Sequence, residues 1–394
     1  MDLGFSPQEE SFRKEVREFI AKEFPSDLRW RFRATFAPSI HGLDEEAWSF
    51  MRAMARKLGA QGWFSLGWPK EYGGQNSQIL QNIVYEEVLY HNCPGMNHAG
   101  LTFLAPTLLQ FGSEEQKKAH LPGIARGEVF WCELLSEPDC GSDLASLRTR
   151  ATEGADCFVI NGQKTWTSGA HLCEWGFILA RTDPDLPRHK GLSYLLVDMK
   201  TPGITIRPIR NMLGEPEFAE VFFDDVRVPK ENLVGVKNQG WYVSMATLDF
   251  ERAACLYYAS VRGYLERLAS YIKETDTPLD PVLRNRLAQL LAECEMARLI
   301  HYRAIWMMEM GSRPTYEAAI DKMYNSELAQ RAAEFGMQVM GQYGGLLPGS
   351  KFVRFDGYPS FYYLDTVSYA IMAGTSEIDR NVIAVRGLGL PTQR

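Results

Sequence analysis

Three charged residues, Asp249, Glu251 and Arg252, interrupt a run that is otherwise mostly small and apolar, NQGWYVSMATLDFERAACLYYASV. A helix that is apolar almost all round is buried, and a buried charge is costly unless it is paired or used. At helical spacing Glu251 shares a face with Thr247, Leu248, Ala254 and Cys255. Asp249 and Arg252 stand three apart and can pair with each other, which leaves Glu251 as the unmatched carboxylate. Burial on such a face raises a carboxyl pKa and strengthens the group as a base. An ion pair with a basic residue of another helix fits the same spacing equally well.

Three further stretches could carry chemistry. SEPDCGSD, residues 136 to 143, is a turn-rich loop leading into a short helical turn at DLASL. Its backbone N–H groups could hold an anion or a ring oxygen, although an ordinary solvated turn has the same composition. TWTSG, residues 165 to 169, sets Trp166 between Thr and Ser and could lay an indole against a planar ring. A core tryptophan with a satisfied N–H is the commoner use of that residue. GTSEIDRN, residues 374 to 381, is a helix start. Thr375 or Ser376 can cap it, and Glu377 and Asp379 suit the positive end of the dipole. Capping alone explains this segment; cofactor binding at the same N–H groups is the sharper alternative.

The elements that position these residues fall into three textures. Residues 6 to about 125 carry helical periodicity in SPQEESFRKEVREFIAKEF, EEAWSFMRAMARKLGA and SQILQNIVYEEVLYH, with the Gly/Pro-rich loop GWFSLGWPKEYGGQ between them. From about 126 to 236 short β-rich runs follow: CFVINGQKTWTS, whose Asn-Gly pair predicts a hairpin, then WGFILART, GLSYLLVDM, GITIRPI and AEVFFDDVRV. From 237 onward the pattern is helical again. It predicts one long helix through NQGWYVSMATLDFERAACLYYASVRGYLERLASYI, two more in PVLRNRLAQLLAECEMARLIHYRAIWMMEM and YEAAIDKMYNSELAQRAAEFGMQVM, and a fourth from GTSEIDRNVIA. The expected division is residues 1–125, 126–236 and 237–394, in an α+β multidomain fold.

Bulk properties narrow the function. A chain of 394 residues exceeds one compact core. A net charge of −7 argues against nucleic acid and anionic membranes. No apolar run approaches the ~18 residues of a spanning helix, and the N-terminal stretch MDLGFSPQEESFRKEV, acidic and without an apolar h-region, leads to the expectation of no export. The seven cysteines, Cys93, Cys132, Cys140, Cys157, Cys173, Cys255 and Cys294, form no C-x-x-C pair. Free thiols in a cytoplasmic protein are therefore expected, and no metal site.

Taken together, GWPKEYGG, LLSEPDCGSD, INGQKTWTSG, EVFFDDVRVPKENLVG, QVMGQYGG and AGTSEIDRNVIA with its RGLGLP tail resemble the acyl-CoA dehydrogenase family, in order and along essentially the whole chain. The resemblance implies a helical N-terminal domain, a middle β-barrel-like domain and a C-terminal four-helix bundle, with FAD between the last two. The residues matching the family's flavin contacts are Leu135, Ser136, Gly141, Ser142, Trp166, Thr167 and Ser168. Gln338 and Gly341 match a loop that reaches a neighbouring subunit's cofactor, and Thr375 and Glu377 match contacts at the last helix start. Ser142, Leu248, Arg252 and Gly374 fall at substrate-binding positions.

Many members carry the catalytic Glu immediately before the Gly-Thr of the last motif, where this chain has Ala373. Isovaleryl-CoA and long-chain members place it on the long helix, and Glu251 in LDFER matches that alternative. The implied activity is α,β-dehydrogenation of an acyl-CoA thioester. Its expected acceptor is an electron-transfer flavoprotein, and its expected assembly a homodimer or homotetramer, possibly heteromeric. An Arg-x-x-Phe-Gly stretch usual after the long helix has no counterpart in KETDTPLDPVLRNRLA, and Gln342 stands where glycine is common. A non-catalytic or half-site subunit, and an oxidase or other flavin enzyme on the same fold, are the alternatives. A base at position 251 disfavours a monooxygenase. The acyl group is left open.

Overall fold

The computed structural model describes residues 4–25, 45–254 and 257–391 of the chain, so Cys255 lies outside the described residues. The first helices are α1 (Pro7–Glu23), α2 (Glu45–Ala60), α3 (Gln78–Tyr90), α4 (Ala105–Phe111) and α5 (Glu114–Ala125). The strands are β1 (Trp131–Leu134), β2 (Arg150–Glu153), β3 (Cys157–Lys164), β4 (Trp175–Arg181), β5 (Leu192–Asp198), β6 (Ile204–Ile209), β7 (Phe218–Pro229) and β8 (Leu233–Val234). Then come α6 (Gly240–Ala253), α7 (Tyr257–Glu274), α8 (Pro281–Glu309), α9 (Tyr316–Met340), α10 (Tyr358–Thr366) and α11 (Ser376–Val382). The starts follow local chemistry. Ser6 and Glu9 close a reciprocal capping box on α1, Ser113 and Gln116 do so on α5, and Asp280 caps α8 ahead of Pro281.

Tertiary contacts group these elements into two compact units. One holds α2, α4, α5, all the strands and α6 as far as Glu251; the other holds α1, α3 and, from Arg252 onward, α7 to α11. The helical N-terminal segment thus contributes to both.

In the first unit the strands run in the order β6-β7-β3-β2-β4-β5-β8, with β1 alongside β4 in parallel. The Asn161–Gly162 pair does not make the expected hairpin: it lies within β3, which pairs with β2 on one side and β7 on the other. The pair absorbs a register shift between Ile160 and Gly162 instead, and the chain reverses earlier, where Gly154 N–H donates to Cys157 O at 2.8 Å. Asn161 spends its side chain on Asp225, donating to its carboxylate and accepting from its backbone N–H, each at 2.9 Å.

Helix α6 begins hard against β5. A Cβ on Gly240 would stand 2.4 Å from the Ser193 carbonyl carbon and 2.5 Å from Tyr194 N. These are backbone atoms that cannot swing aside, so Gly240→Ala is expected to destabilise by about 1–3 kcal/mol, read as a lowered melting temperature.

In the second unit buried polar contacts tie the early helices to the late ones. Arg13 of α1 reaches Glu86 and Glu87 of α3 at 3.0 Å each and Tyr302 of α8 at 3.2 Å. His301 sits between Asp321 and Asn82, at 2.7 Å from each. The single long helix expected after residue 237 is two helices, α6 ending at Ala253 and α7 starting at Tyr257. The restart has a cap: Tyr258 N–H donates to the Asn325 side chain at 2.8 Å. The expected fourth helix starts where predicted but is short, and α10 and α11 both pack on α9.

Candidate active site

Glu251 lies near the end of α6 and is 6% exposed. Leu248, one turn earlier, packs on a buried cluster of Leu135, Cys140, Leu144, Leu147, Leu179 and Leu192. The structure therefore brings together two of the residues singled out from sequence, Leu248 of α6 and Leu135 at the start of the 135–142 loop. On the same helix Thr247 is fully buried, donates to Val243 O at 3.0 Å and shares a 2.9 Å hydrogen bond with Thr107 of α4.

The loop after β1 is pinned from below. Lys164, at the end of β3 and fully buried, donates to Leu135 O at 2.8 Å and to Glu137 at 2.9 Å. Glu137 also accepts from the backbone N–H groups of Arg148 and Thr149. Burial pushes the Glu137 carboxyl up, but Lys164 and these N–H groups outweigh it and hold the group below its ordinary range. Burial likewise pulls the Lys164 ammonium down, with Glu137 acting against it. Glu137 and Cys140 close a tight turn, N–H to carbonyl at 2.8 and 3.1 Å. Beyond it Gly141 and Ser142 are exposed, and a Cβ on Gly141 would meet nothing within 4 Å.

The 165–169 segment joins this loop, since Thr165 N–H donates to Ser136 O at 2.9 Å. Trp166 is held in the left-handed region at φ 59°, and its side chain is 60% exposed, edge-on to Phe218. Thr167 is fixed by paired backbone bonds with Ala219, and its buried Oγ1 has no hydrogen-bond partner among the described residues. Ser168 follows, half-buried. An indole held in a strained conformation without being buried, beside a sealed and unpartnered hydroxyl, suits a flat ligand bearing polar ring atoms.

Sequence reasoning missed Glu133. Register places it opposite Phe177 of β4, and Leu179 opposite Tyr194 of β5, so all four point to one face of the sheet. That is the face on which α6 sets Leu248, through Leu179. Burial lifts the Glu133 carboxyl well above its ordinary range, and the carboxylate of Glu251 lifts it further. Burial does the same to the Tyr194 hydroxyl, with Glu133 and Glu251 adding to it and the Thr247 hydroxyl opposing. A lone carboxylate in the apolar strand FWCELL is the same signal that singled out Glu251, and it could have been found in the same way.

The second unit organises the other predicted residues around Asp379, fully buried in α11. Arg252 Nε stands 3.3 Å from its Oδ1 and Lys322 Nζ 3.8 Å from its Oδ2. Burial raises Asp379 to about 6, with Lys322 and Arg252 pulling the other way. Lys322 also donates to Gly374 O at 2.5 Å, and a Cβ on Gly374 would come within 3.2 Å of the Arg252 guanidinium. Ala373 and Gly374 both have positive φ, 57° and 89°, turning the chain into α11. Thr375 caps that helix by accepting from Ile378 N–H at 3.2 Å. Exposed Glu377 is held below its ordinary range by a backbone hydrogen bond at that helix start.

Gln338 and Gly341 are not part of this group. Both are exposed at the C-terminal end of α9, whose residue Lys322 binds Gly374. Along a helix the separation between Lys322 and Gly341 is roughly 28 Å.

The chain matches three family models, "Acyl-CoA dehydrogenase, N-terminal domain" over residues 6–128, "middle domain" over 132–226 and "C-terminal domain" over 238–388. It is 38% identical over 391 residues to acyl-CoA dehydrogenase IpdE1 of Mycobacterium tuberculosis, covering 98% of each chain. Among solved structures it resembles the Tcur3481-Tcur3483 steroid ACAD, at a TM-score of 0.90 and 30% identity with 100% of both chains covered. It also resembles the ChsE4-ChsE5 complex from Mycobacterium tuberculosis, at 0.87 and 30% identity, again over 100% of both chains.

Proposed function

This chain belongs to the acyl-CoA dehydrogenase family, and on that premise we propose that it converts an acyl-CoA thioester to the trans-2-enoyl-CoA with Glu251 as the base that removes the α-proton. The observation that carries this reading is Glu251 itself, 6% exposed on a helix whose neighbouring face is apolar. A thioester α-proton is a weak acid, and its removal needs a carboxylate shielded from water. The α-proton passes to a Glu251 carboxylate oxygen, and negative charge develops on the thioester oxygen, where backbone N–H donors are needed. The Glu377 N–H is the proposed donor, with Arg252, Gly374, Leu248 and Ser142 lining the substrate.

The cofactor of the family is FAD, and the residues of the first unit fit it: an open Gly141, an exposed Trp166 and the sealed Thr167 hydroxyl. When bound, FAD supplies the two-electron acceptor for the hydride from the β-carbon. Leu135, Ser136, Gly141 and Ser142 are proposed to hold it by backbone and hydroxyl groups, and Trp166, Thr167 and Ser168 to cover its ring. Thr375 and Glu377 are the proposed contacts of the second unit. Gln338 and Gly341, far along α9 from Gly374, are assigned to the cofactor of another subunit. Trp166→Gly is expected to release flavin during gel filtration. It should also stabilise the apoprotein by about 1 kcal/mol, because glycine adopts positive φ without strain. Flavin absorbance and apoprotein melting temperature check the two halves.

The proposed acceptor is an electron-transfer flavoprotein. Among the described residues no helix is long and apolar enough to cross a membrane. Anaerobic titration of the purified protein against a panel of acyl-CoA thioesters tests the activity, and steroid-derived thioesters go first because of the steroid enzyme among the similar structures. Bleaching by none of the panel would reject the reading.

A second reading is favoured by the two-component names of both similar structures: the chain is one subunit of a heteromeric dehydrogenase. The missing Arg-x-x-Phe-Gly stretch falls at the junction of α7 and α8, where residues 275–280 link Glu274 to Pro281. Purification alone and with a co-expressed partner separates the readings. Yellow protein from the single chain supports a homomer; colour gained only with the partner supports the heteromer.

A further inference from the structure

Glu133 is not explained by the reading above. It is the single carboxylate of β1, on the sheet face that α6 covers. The residue as a whole is only partly buried, yet its Oε1 is closed off from solvent with no hydrogen-bond partner among the described residues. Glu251 from α6 and Tyr194 from β5 are the groups on its side of the sheet, and the Cys132 thiol, next to it along β1, lies on the other face. All three are neutral or anionic, and no cation among the described residues offsets them at Glu133. Two carboxyl groups in one sealed site do not both ionise, because each charge raises the cost of the other and burial raises the cost of both.

We propose that Glu133 and Glu251 work as one acid pair that holds a single proton at neutral pH, with Glu133 the member that keeps it and so a positioning residue for the base. This rests on the assignment of Glu251 and deepens it. The proton leaves Glu251 ionised and ready beside a neutral neighbour rather than a second charge. When Glu251 takes the α-proton of the substrate, the pair passes from one negative charge to none.

The test uses the purified holoprotein. Infrared difference spectra between the parent and Glu133→Gln at neutral pH read the proton directly and need no substrate. One protonated-carboxyl band present in the parent and missing from the variant is expected. Identical spectra overturn the proposal. Anaerobic flavin reduction against pH supplies the second readout. Glu133→Leu, which removes the protonated carboxyl from beside Glu251, is expected to slow reduction about tenfold, as for a shift of about one unit in the base. Glu133→Gln, which keeps a neutral donor, should recover the larger part of that loss and remove one of the two ionisations from the profile. Equal loss in both variants, or a two-step profile retained in Glu133→Gln, overturns the proposal. If Glu251→Gln proves fully active while the Glu133 band is lost as expected, the assignment of the base fails and the proton pair stands.

Discussion

Glu251→Gln should purify as yellow as the parent and lose its ability to bleach on addition of acyl-CoA, by about 10²–10⁴-fold in rate. The substitution keeps size and hydrogen-bonding capacity but removes the only function assigned to the group, acceptance of a proton. Retained colour is expected because the residues proposed to hold FAD in the first unit, Leu135 to Ser142 and Trp166 to Ser168, lie on loops anchored by Lys164, Ser136 and Ala219 and not by Glu251. Flavin content by absorbance and anaerobic stopped-flow reduction separate the two properties. A colourless variant would mean that Glu251 is structural.

The second large effect is expected at Lys322. Its ammonium lies 2.5 Å from Gly374 O and 3.8 Å from Asp379, and both charged side chains are completely buried. Lys322→Met leaves Arg252 as the ion-pair partner of Asp379 among the described residues and removes the donor to the Gly374 carbonyl. Breaking a buried pair from one side typically costs about 3–5 kcal/mol. The pH dependence has a definite sign. The folded-state pKa of Asp379 is raised, from 3.8 to about 6, so this group withdraws stability as pH climbs through that window. Losing Lys322 raises the pKa further and carries the loss to higher pH. The melting temperatures of variant and parent should therefore diverge most in alkaline buffer and converge in acid. Equal differences at both ends would show that Asp379 is not the group responsible.

Much of this was legible in the chain itself, and the exceptions have physical causes. Ser6, Ser113 and Asp280 start their helices as their local chemistry dictates, because a cap depends on residues three positions away. The division into α6 and α7 was not legible, since the Tyr258 N–H is taken by Asn325, 67 residues on. Asn161–Gly162 misled because a turn dipeptide also suits a bulge when both neighbouring strands are present, and pairing with β7 is a tertiary fact. At the site, Glu251 stood out as a charge in an apolar helix. Glu133 carries the same mark in a strand, but its meaning depends on which sheet face α6 covers, and only the register of β1, β4 and β5 supplies that. Lys322 was hidden for a related reason, and Asp379 was read from sequence only as a match for the helix dipole: their meeting around Gly374 is what gives both a further role.

The most direct measurement is the rate of anaerobic flavin bleaching by a turned-over thioester carrying either hydrogen or deuterium at its α-carbon, run on the parent and on Glu251→Gln. Slower bleaching with deuterium in the parent, together with bleaching slowed at least about a hundredfold in the variant, is the result predicted. Bleaching of the variant at the parental rate, with the same sensitivity to deuterium, would show that another group removes that proton.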